Sequence, residues 1–560
     1  MANVLAPEVL QVWKEADFRV YIDFDRDDDF SDAYEDITAY CQTAEWQIGA
    51  TQPYQQVSDE ASATFMLNNA DRRFSPEYVE SPYYGELDIH LKLKVECTFT
   101  WLGTETTYPL YLGFIESIRP EPAKRTDCTI KCVSAKQQLQ DQYIQLPLLT
   151  NVRSDEVIQI ILERLIMPPA INSNAWFLGV PGSSEIGETT YLADSSVAMD
   201  LDVGTKTWPY VADTWDANFY GNQYVGEDWS GGFKAWDAIK DVIRAERGRF
   251  YFDREGKAVF QARDHDQTNY INWGGFDTDT TSPAVETVVS DLNNYSYGKY
   301  IYNEVEVNAY PRQADSVDSL LYELPEPITV RAGDERSISA KYTPDDADYE
   351  VSAIEPYISE ITYSGPLSFS VEYMATRAKI TIKNVAQTSE EDSKGTLLEY
   401  DFHTMTSTRQ TSSNDDTLDG ELTTLKITGK KLIAFDKVTT EKVDGVSRSR
   451  YGARAYRIDA KLMDDINDAN AMAEYVLSQR KDPYGAYESL VLKPFNRSTI
   501  NRALTALIGR KYTLYDDSQG HEADYVIIGE SWRFHKDQGW QCTKFLENVE
   551  DQLRWMLGLD

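Results

Sequence analysis

The sequence predicts a mainly β protein with an α+β module, built on two antiparallel β-barrels plus an inserted β domain. Three observations point there. Residues 87–101, LDIHLKLKVECTFTW, alternate apolar and polar for fifteen positions, the period of a strand buried on one face. Around them ASATFML (61–67), TYPLYLGFIESI (107–118) and DCTIKCVS (127–134) read as further strands of one antiparallel meander. Finally, LGFIESIR followed by CTIKC is faintly echoed by IGESWRF followed by CTKFL near the C-terminus, as if two modules were versions of one barrel.

Taken in order, Leu87, Ile89, Leu91, Leu93, Val95, Cys97, Phe99 and Trp101 are expected on the inward face of one strand of about 46 Å, at ~3.3 Å per residue. Gly103 marks the turn that returns the chain, and RPEPAKRT (119–126) is a connector. The stretch LNNADRRFSPEYVESPYYGEL (67–87) combines Phe74, Tyr78, Tyr83 and Tyr84 with Pro76 and Pro82, too punctuated for a regular element. In SDEVIQIILERLIMPP the period changes. Ser154 is the expected N-cap, Val157, Ile158, Ile161, Leu162 and Leu165 form an apolar stripe, and Pro168 and Pro169 stop the helix. Residues 171–230 read as an irregular excursion. FKAWDAIKDVIRAERG is a second helix with Trp236, Ile239 and Ile243 on one side and Gly248 as its stop, and RFYFDREGKAVFQAR is a hairpin about DREG. The polar loop TSSNDDTLDG interrupts the strand candidates of 312–436, and DINDANAMAEYVLSQR is a helix. The expected units are 1–149 (first barrel), 150–284 (α+β), 285–311 with 437–560 (second barrel with its helix) and 312–436 (inserted β domain).

Composition narrows function. The 560 residues carry 92 acidic against 54 basic side chains, a formal −38. Such a surface repels phosphate backbones and anionic membranes, so nucleic-acid binding by a basic patch is disfavoured. Cys128 and Cys132, four apart on a strand, lie too far apart to bond. With Cys41, Cys97 and Cys542 they read as small buried hydrophobes of a reducing compartment. MANVLAPEVLQVWKEADF lacks the pattern of a signal peptide, and VIQIILERLIM, the most apolar run, is broken by Glu163 and Arg164.

Chemistry-bearing patterns are sparse. The histidines are His90, His265, His403, His521 and His535, and HEADY lacks the second histidine of a helical zinc site. No nucleophile elbow, phosphate loop or dinucleotide fingerprint occurs. DFDRDDDFSD (23–32) invites a calcium reading, but the sixth position is not glycine and no glutamate stands twelfth from Asp23 or Asp25, so a solvated acidic strand end is expected. Abundant carboxylates single out no glycosidase pair. No catalytic, cofactor-binding or metal residue is therefore assigned, and no cofactor. The remaining signal is 36 Tyr and 12 Trp, suited either to sugar binding or to large subunit contacts.

The order of these pieces resembles that of tailed-bacteriophage tail-tip or baseplate hub proteins. The likeness is carried by DITAYCQTAEWQIGA (36–50), LNNADRRFSP…SPYYGEL, YLGFIESIRPEP, CTIKCVSA, GRFYFDREGKAVFQARDH, SRSRYGARAYRID with Ser449, Tyr451, Gly452 and Arg454, DANAMAEYVLSQRKDP and the closing WMLGLD. It covers most of the chain and is weakest over 171–230 and 312–436. The resemblance implies a non-enzymatic virion protein made in the host cytoplasm, with two tail-tube-like barrels per chain. It implies a homotrimer that adapts a sixfold tube to a threefold tip and forms part of the channel for DNA ejection. Its implied partners are the tail tube or distal tail protein, the tape-measure protein and a central tip, spike or fibre protein, with DNA passing through without specific binding. The aromatic-proline stretch would then be an assembly joint at a barrel end, and receptor binding and wall digestion would fall to other polypeptides. The alternative from another class is a tail-associated carbohydrate-binding or polysaccharide-degrading protein.

Overall fold

The meander strands are β1 (Asp17–Ile22), β2 (Cys41–Gly49), β3 (Ser62–Asn68), β4 (Lys92–Trp101), β5 (Thr104–Pro120) and β6 (Asp127–Val133). The computed structural model describes residues 13–27, 29–55, 57–58, 61–121, 126–163, 199–201, 204, 222–227, 232–262, 275–277, 291–293, 295–344, 349–386, 396–401, 406–411, 419–494, 496–516 and 520–548. Most of the 171–230 excursion, Leu165, Pro168 and Pro169, His265, His403, most of the loop TSSNDDTLDG and the closing WMLGLD lie outside the described residues.

All six strands belong to one twelve-stranded sheet, in the order β1, β4, β5, β6, β3, β2, then His521–His535, Gly539–Asn548, Ser489–Leu492 and Asp291–Asn293. Lys511–Asp516 lies beside the first half of His521–His535, and Gly275–Asp277 pairs with it in parallel. Alternation forms β4 as expected, since Leu93, Val95, Cys97 and Phe99 are all buried. Yet β4 starts at Lys92. The turn before it puts His90 at φ 62° and leaves Ile89 46% exposed, so the pattern over 87–91 is not that of a strand. Leu102 (φ 50°) and Gly103 (φ 86°) make the two-residue turn into β5, where left-handed backbone matches the twist of the hairpin.

The echo in the sequence is a repeated unit. The strands β3, β4, β5 and β6 pair in the order β3, β6, β5, β4. Ser489–Leu492, Lys511–Asp516, His521–His535 and Gly539–Asn548 follow the same chain order and the same pairing order. Each central hairpin carries one β-bulge, at Glu116 between Ile115 and Ser117 and at Ile528 between Ile527 and Gly529. Lys131 and Phe545, opposite the residues just past the bulges, each stand three residues after a cysteine, Cys128 and Cys542. Those cysteines face Leu67 and Leu492 across the next ladder. The CT pairs therefore superpose, whereas the two ES pairs are offset by two residues.

The two units are joined edge to edge: Thr43–Gly49 of β2 pairs antiparallel with Gly529–His535. One apolar core runs through both, from Phe18, Phe65 and Leu93 to Leu490, Trp532 and Leu546. The sheet curls until the ring of Phe18 on its first strand stands 5.5 Å from Phe534 and 5.9 Å from Trp540. Ring packing thus brings the outermost strand against the second unit.

The α+β module has its own core, where the helices Ser154–Glu163 and Ala235–Glu246 pack with the hairpin Arg249–Phe252/Ala258–Gln261. Ser154 is not the cap. Glu156 accepts from the Arg153 NH at 3.0 Å, while the Ser154 hydroxyl donates to Glu246 on the other helix at 2.9 Å. The second helix stops at Arg247 in the left-handed region (φ 61°), not at Gly248. Glycine is needed at 248 for another reason: a Cβ there would lie 2.5 Å from the Gln261 carbonyl oxygen.

The described strands between Arg312 and Ala434 form a β unit with a separate core around Tyr342, Ile380 and Ile427. Its first and last strands, Arg312–Glu323 and Gly420–Ala434, pair with each other, Arg312 opposite Ala434. Glu304–Ala309, Val438–Val443 and Ala455–Asp459, expected within the second barrel, form a three-stranded sheet of their own. The helix Ile466–Arg480 covers it with Ala469, Met472, Ala473 and Val476. These strands are short and alternate, so they bury one face on a helix and need no barrel.

Candidate functional site

Three constructions stand out, and all are joints. The first is the seam between the repeated units. Gly49 (φ 78°) faces Gly529, and a Cβ on Gly529 would come within 2.1 Å of the Ala50 carbonyl oxygen, so the seam closes only because both residues lack side chains. Trp46 and Trp532 stack across it, with centroids 5.8 Å apart and planes at 10°.

The second joint locks the DREG hairpin onto the second unit. Arg254 lies in that turn and is 6% exposed, while Glu530 and Lys544 are fully buried on neighbouring strands. The Arg254 guanidinium grips Glu530 with two bonds, Nε to Oε1 at 2.6 Å and Nη2 to Oε2 at 2.7 Å. Arg254 Nη1 also donates to the Leu504 carbonyl at 2.6 Å. Lys544 Nζ donates to the Ala506 carbonyl at 2.7 Å and to Glu530 Oε2. Burial alone would raise the Glu530 carboxyl, but the charges of Arg254 and Lys544 outweigh it and hold the group at about 2. Beside this network lies a cavity of about 530 Å³ lined by Tyr108, Tyr251, Asp253, Gln261, Ile508 and Glu530, among others. Two of its carboxylates are engaged, Glu530 by the cations and Asp253 Oδ1 by the backbone NH groups of Glu255 and Lys257, both at 2.9 Å.

The third joint is the aromatic-proline stretch at one end of the first unit. Its backbone steps through turns in which every third NH meets a carbonyl three residues back, from Arg72 through Ser75, Tyr78 and Ser81 to Tyr84. The Asn69 side chain braces the start, accepting from the Phe74 NH at 2.9 Å. Phe74 and Tyr83 are buried, and Tyr83 stacks on Phe24 at 4.2 Å with planes at 11°. Arg73 lies 3.9 Å over the Tyr40 ring. Tyr84 (52%) and Val79 (71%) point outward.

Tyr83 stacks on the Phe24 of an acidic segment that carries Asp23, Asp25, Asp27, Asp29 and Glu35. Asp25, Asp27 and Asp29 are exposed as the sequence led one to expect, but Asp23 and Glu35 are buried. One carboxylate oxygen from each of Asp23, Asp25 and Asp27 lies within 4.8 Å of the others. Glu35 Oε1 accepts from the Phe24 NH at 3.3 Å, and Oε2 has no hydrogen-bond partner among the described residues. Burial, then the charges of Asp23 and Asp25, push the Glu35 carboxyl up to about 7. Lys92, buried next to Asp23, is lowered to about 8 by burial against that carboxylate's pull.

The other sequence-stated features fall into place around these joints. All five cysteines are free and buried. His521 Nε2 is 2.8 Å from the Tyr525 hydroxyl, His535 Nδ1 accepts from the Asp537 NH at 3.1 Å, and His90 is in the turn before β4. No described helix is long and apolar enough to cross a membrane. Sequence reasoning missed Arg254, Glu530, Lys544 and Glu35. Lys544 carried a signal, since it keeps step with the inward Cys542 and Leu546.

The fold defines a class: a mostly antiparallel β protein that uses one four-strand unit twice in a single curled sheet and hangs an α+β module and a β insertion from it. Solved structures similar in overall course include a tail protein from Neisseria meningitidis MC58 (8% identity, 96% of each chain covered, TM-score 0.44). A second is the 43 kDa tail protein of prophage MuSo2 from Shewanella oneidensis (7% identity, 94% of this chain and 97% of that one, TM-score 0.41). A third is the prophage tail protein gp18 from Listeria monocytogenes EGD-e (8%, 97% and 98%, 0.36). No family model and no curated protein matches the sequence.

Proposed function

We propose that the chain is a structural hub of a bacteriophage tail tip or baseplate, a homotrimer adapting a sixfold tube to a threefold tip around a DNA channel. The observation that carries this reading is the repeated unit with its unequal edges. In the second unit, the Gly529–His535 edge takes β2 of the first. In the first unit, β5 beyond Glu116 pairs with β6 on one side, and its other side, the one corresponding to that edge, takes no strand among the described residues. The strand corresponding to β2 is the ladder Asp291–Asn293 and Ser296–Tyr297 against Gly485–Ala486 and Ser489–Val491, and its outer edge is open among the described residues as well.

Two complementary open edges on one chain make a head-to-tail contact, and such a contact closes a ring when the rotation allows. With two units per chain, three chains close a ring of six. Carrying the β2 register over, Asn293 of one copy would stand opposite Glu121 of the next and Tyr295 opposite Arg119. The exposed Val79 and Tyr84 would face neighbouring tail components: tube or distal tail protein, tape-measure protein, and a central tip, spike or fibre protein. The acidic excess would keep the channel wall free of phosphate-binding clusters, so that DNA passes without being held. A net-basic lumen in the assembled ring would contradict that part.

The carbohydrate reading needs exposed stacking rings. Trp46, Trp236, Trp532 and Trp540 are buried and offer it no face, which leaves exposed tyrosines such as Tyr84, Tyr143 and Tyr349 as its rings. Mass measurement of the chain in the assembled tail tests the proposal. Three copies are expected; a monomer or dimer there, or reducing ends released from host polysaccharide, would overturn it.

A further inference from the structure

We propose that the cavity between the DREG hairpin and the second unit is a binding slot for an ammonium group carried on a methylene stem. One face of the hairpin, with Phe250, Phe252, Ala258 and Phe260, belongs to the core of the α+β module. The other face carries Tyr251 opposite Val259, ends at Gln261, and lines the cavity. Leu507, Ile508 and Arg510, from the chain between the first two strands of the second unit, line it as well. Its volume of about 530 Å³ lies in the usual range of small-ligand sites.

Acceptors that lack donors stand on two residues of this lining. Asp253 Oδ1 takes two backbone NH groups, while its Oδ2 has no hydrogen bond or ion pair among the described residues. Burial pushes the Asp253 carboxyl up to about 6, against the pull of those NH groups and of the Lys257 charge. Gln261 is 4% exposed; its Nε2 donates to the Tyr251 hydroxyl at 3.1 Å, and its Oε1 has no partner among the described residues. Gly509 (φ 79°) lets that amide in, since a Cβ there would stand 1.9 Å from Nε2. Lys257, whose carbonyl accepts from the Asp253 NH, precedes Gln261 by four residues, so the two acceptors are separated by about 13 Å of extended chain at ~3.3 Å per residue.

The charge of the lining selects a cation. It holds Asp200, Asp253, Glu255 and Glu530 against Arg254 and Arg510. Arg254 is bound to Glu530, and Lys257 pairs with Glu255 at 2.6 Å. Asp200 and Asp253 are left against Arg510 alone. Between the ends, Tyr251, Val259, Leu507 and Ile508 offer apolar surface of the kind that methylene stems cover. An ammonium at Asp253, with a second N–H donor on the same stem reaching Gln261, would satisfy both acceptors and tie the hairpin more firmly to the second unit. A free polyamine has this chemistry, and so does a lysine side chain of another chain. The slot lies within one chain and does not depend on the ring.

The test titrates the full chain with spermidine and with Nα-acetyl-lysine amide at about 0.15 M salt, where screening beyond ~8 Å suppresses loose attraction to the acidic surface. At least one probe should raise the melting temperature and give a saturable one-to-one heat, with Kd of about 1 mM or tighter, within reach of roughly ten heavy atoms. Tighter binding of spermidine assigns the slot to a free polyamine, and tighter binding of the lysine amide assigns it to a side chain of another chain. Asp253→Asn keeps an oxygen for the two NH groups, so it should fold, and it should weaken binding about tenfold or more. Asp200 is exposed, so Asp200→Asn should leave the fold intact and weaken binding about two- to fivefold. No saturable heat from either probe up to about 10 mM, ten times the weakest Kd expected, or binding unchanged in both variants, overturns the proposal.

Discussion

Glu530 and Lys544 occupy inward strand positions where the alternation calls for apolar side chains, and Arg254 reaches them from another module. Removing the central charge leaves two cations buried together. Glu530→Gln should therefore cost about 3–5 kcal/mol at neutral pH, read by denaturant titration. The pH dependence follows from the depressed carboxyl. Its folded value of about 2 lies below the ordinary glutamate value, so its stabilising effect is full above about 4.3 and is lost as pH falls from there through 2. The gap between the wild type and Glu530→Gln should narrow over that window, and a gap independent of pH would contradict the ion network. Glu530 was hard to read because the bulge at Ile528 changes the alternation. Before the bulge odd residues such as Tyr525 and Ile527 face the core, and after it Trp532 does.

Strands, helices and the DREG turn were legible as elements, because period and turn chemistry are local properties. What failed were ends and memberships. His90 cuts the long alternating run short, Arg247 takes a left-handed conformation that glycine was expected to take, and three strands assigned to a barrel pair among themselves. Each depends on which element arrives from far along the chain, and periodicity does not report that. The insertion bears directly on this. The Phe435 NH donates to the Pro311 carbonyl at 3.0 Å, so its two ends already lie side by side. Arg312 must stay, because it pairs with Asp464 at 2.9 Å and also with Glu227. A chain that keeps Arg312, loses residues 316–431 and closes the gap with a short turn should be soluble and melt cooperatively with strong β signal. Insolubility, or collapse of all β signal, would show that the insertion is part of the framework.

At the scale of the molecule, the sequence carried the repeat only as a faint likeness of two hairpins, because core positions tolerate any residue of suitable size and keep little identity. The pairing order and the shared bulge position make it plain, and the seam between the units supplies a template for the contact between chains. That contact can be tested without a particle. Arg119→Cys and Tyr295→Cys occupy the positions that correspond to Ser531 and Gln47, whose Cα atoms pair across the seam away from its two glycines. Directly paired residues of antiparallel strands stand about 4.5–5.5 Å apart, within disulfide reach. The double variant, oxidised after assembly and run under denaturing, non-reducing conditions, should give covalent trimers. Mixing the two single variants should give dimers and nothing larger. Assembled trimers that yield only single chains after oxidation would contradict the edge-to-edge ring.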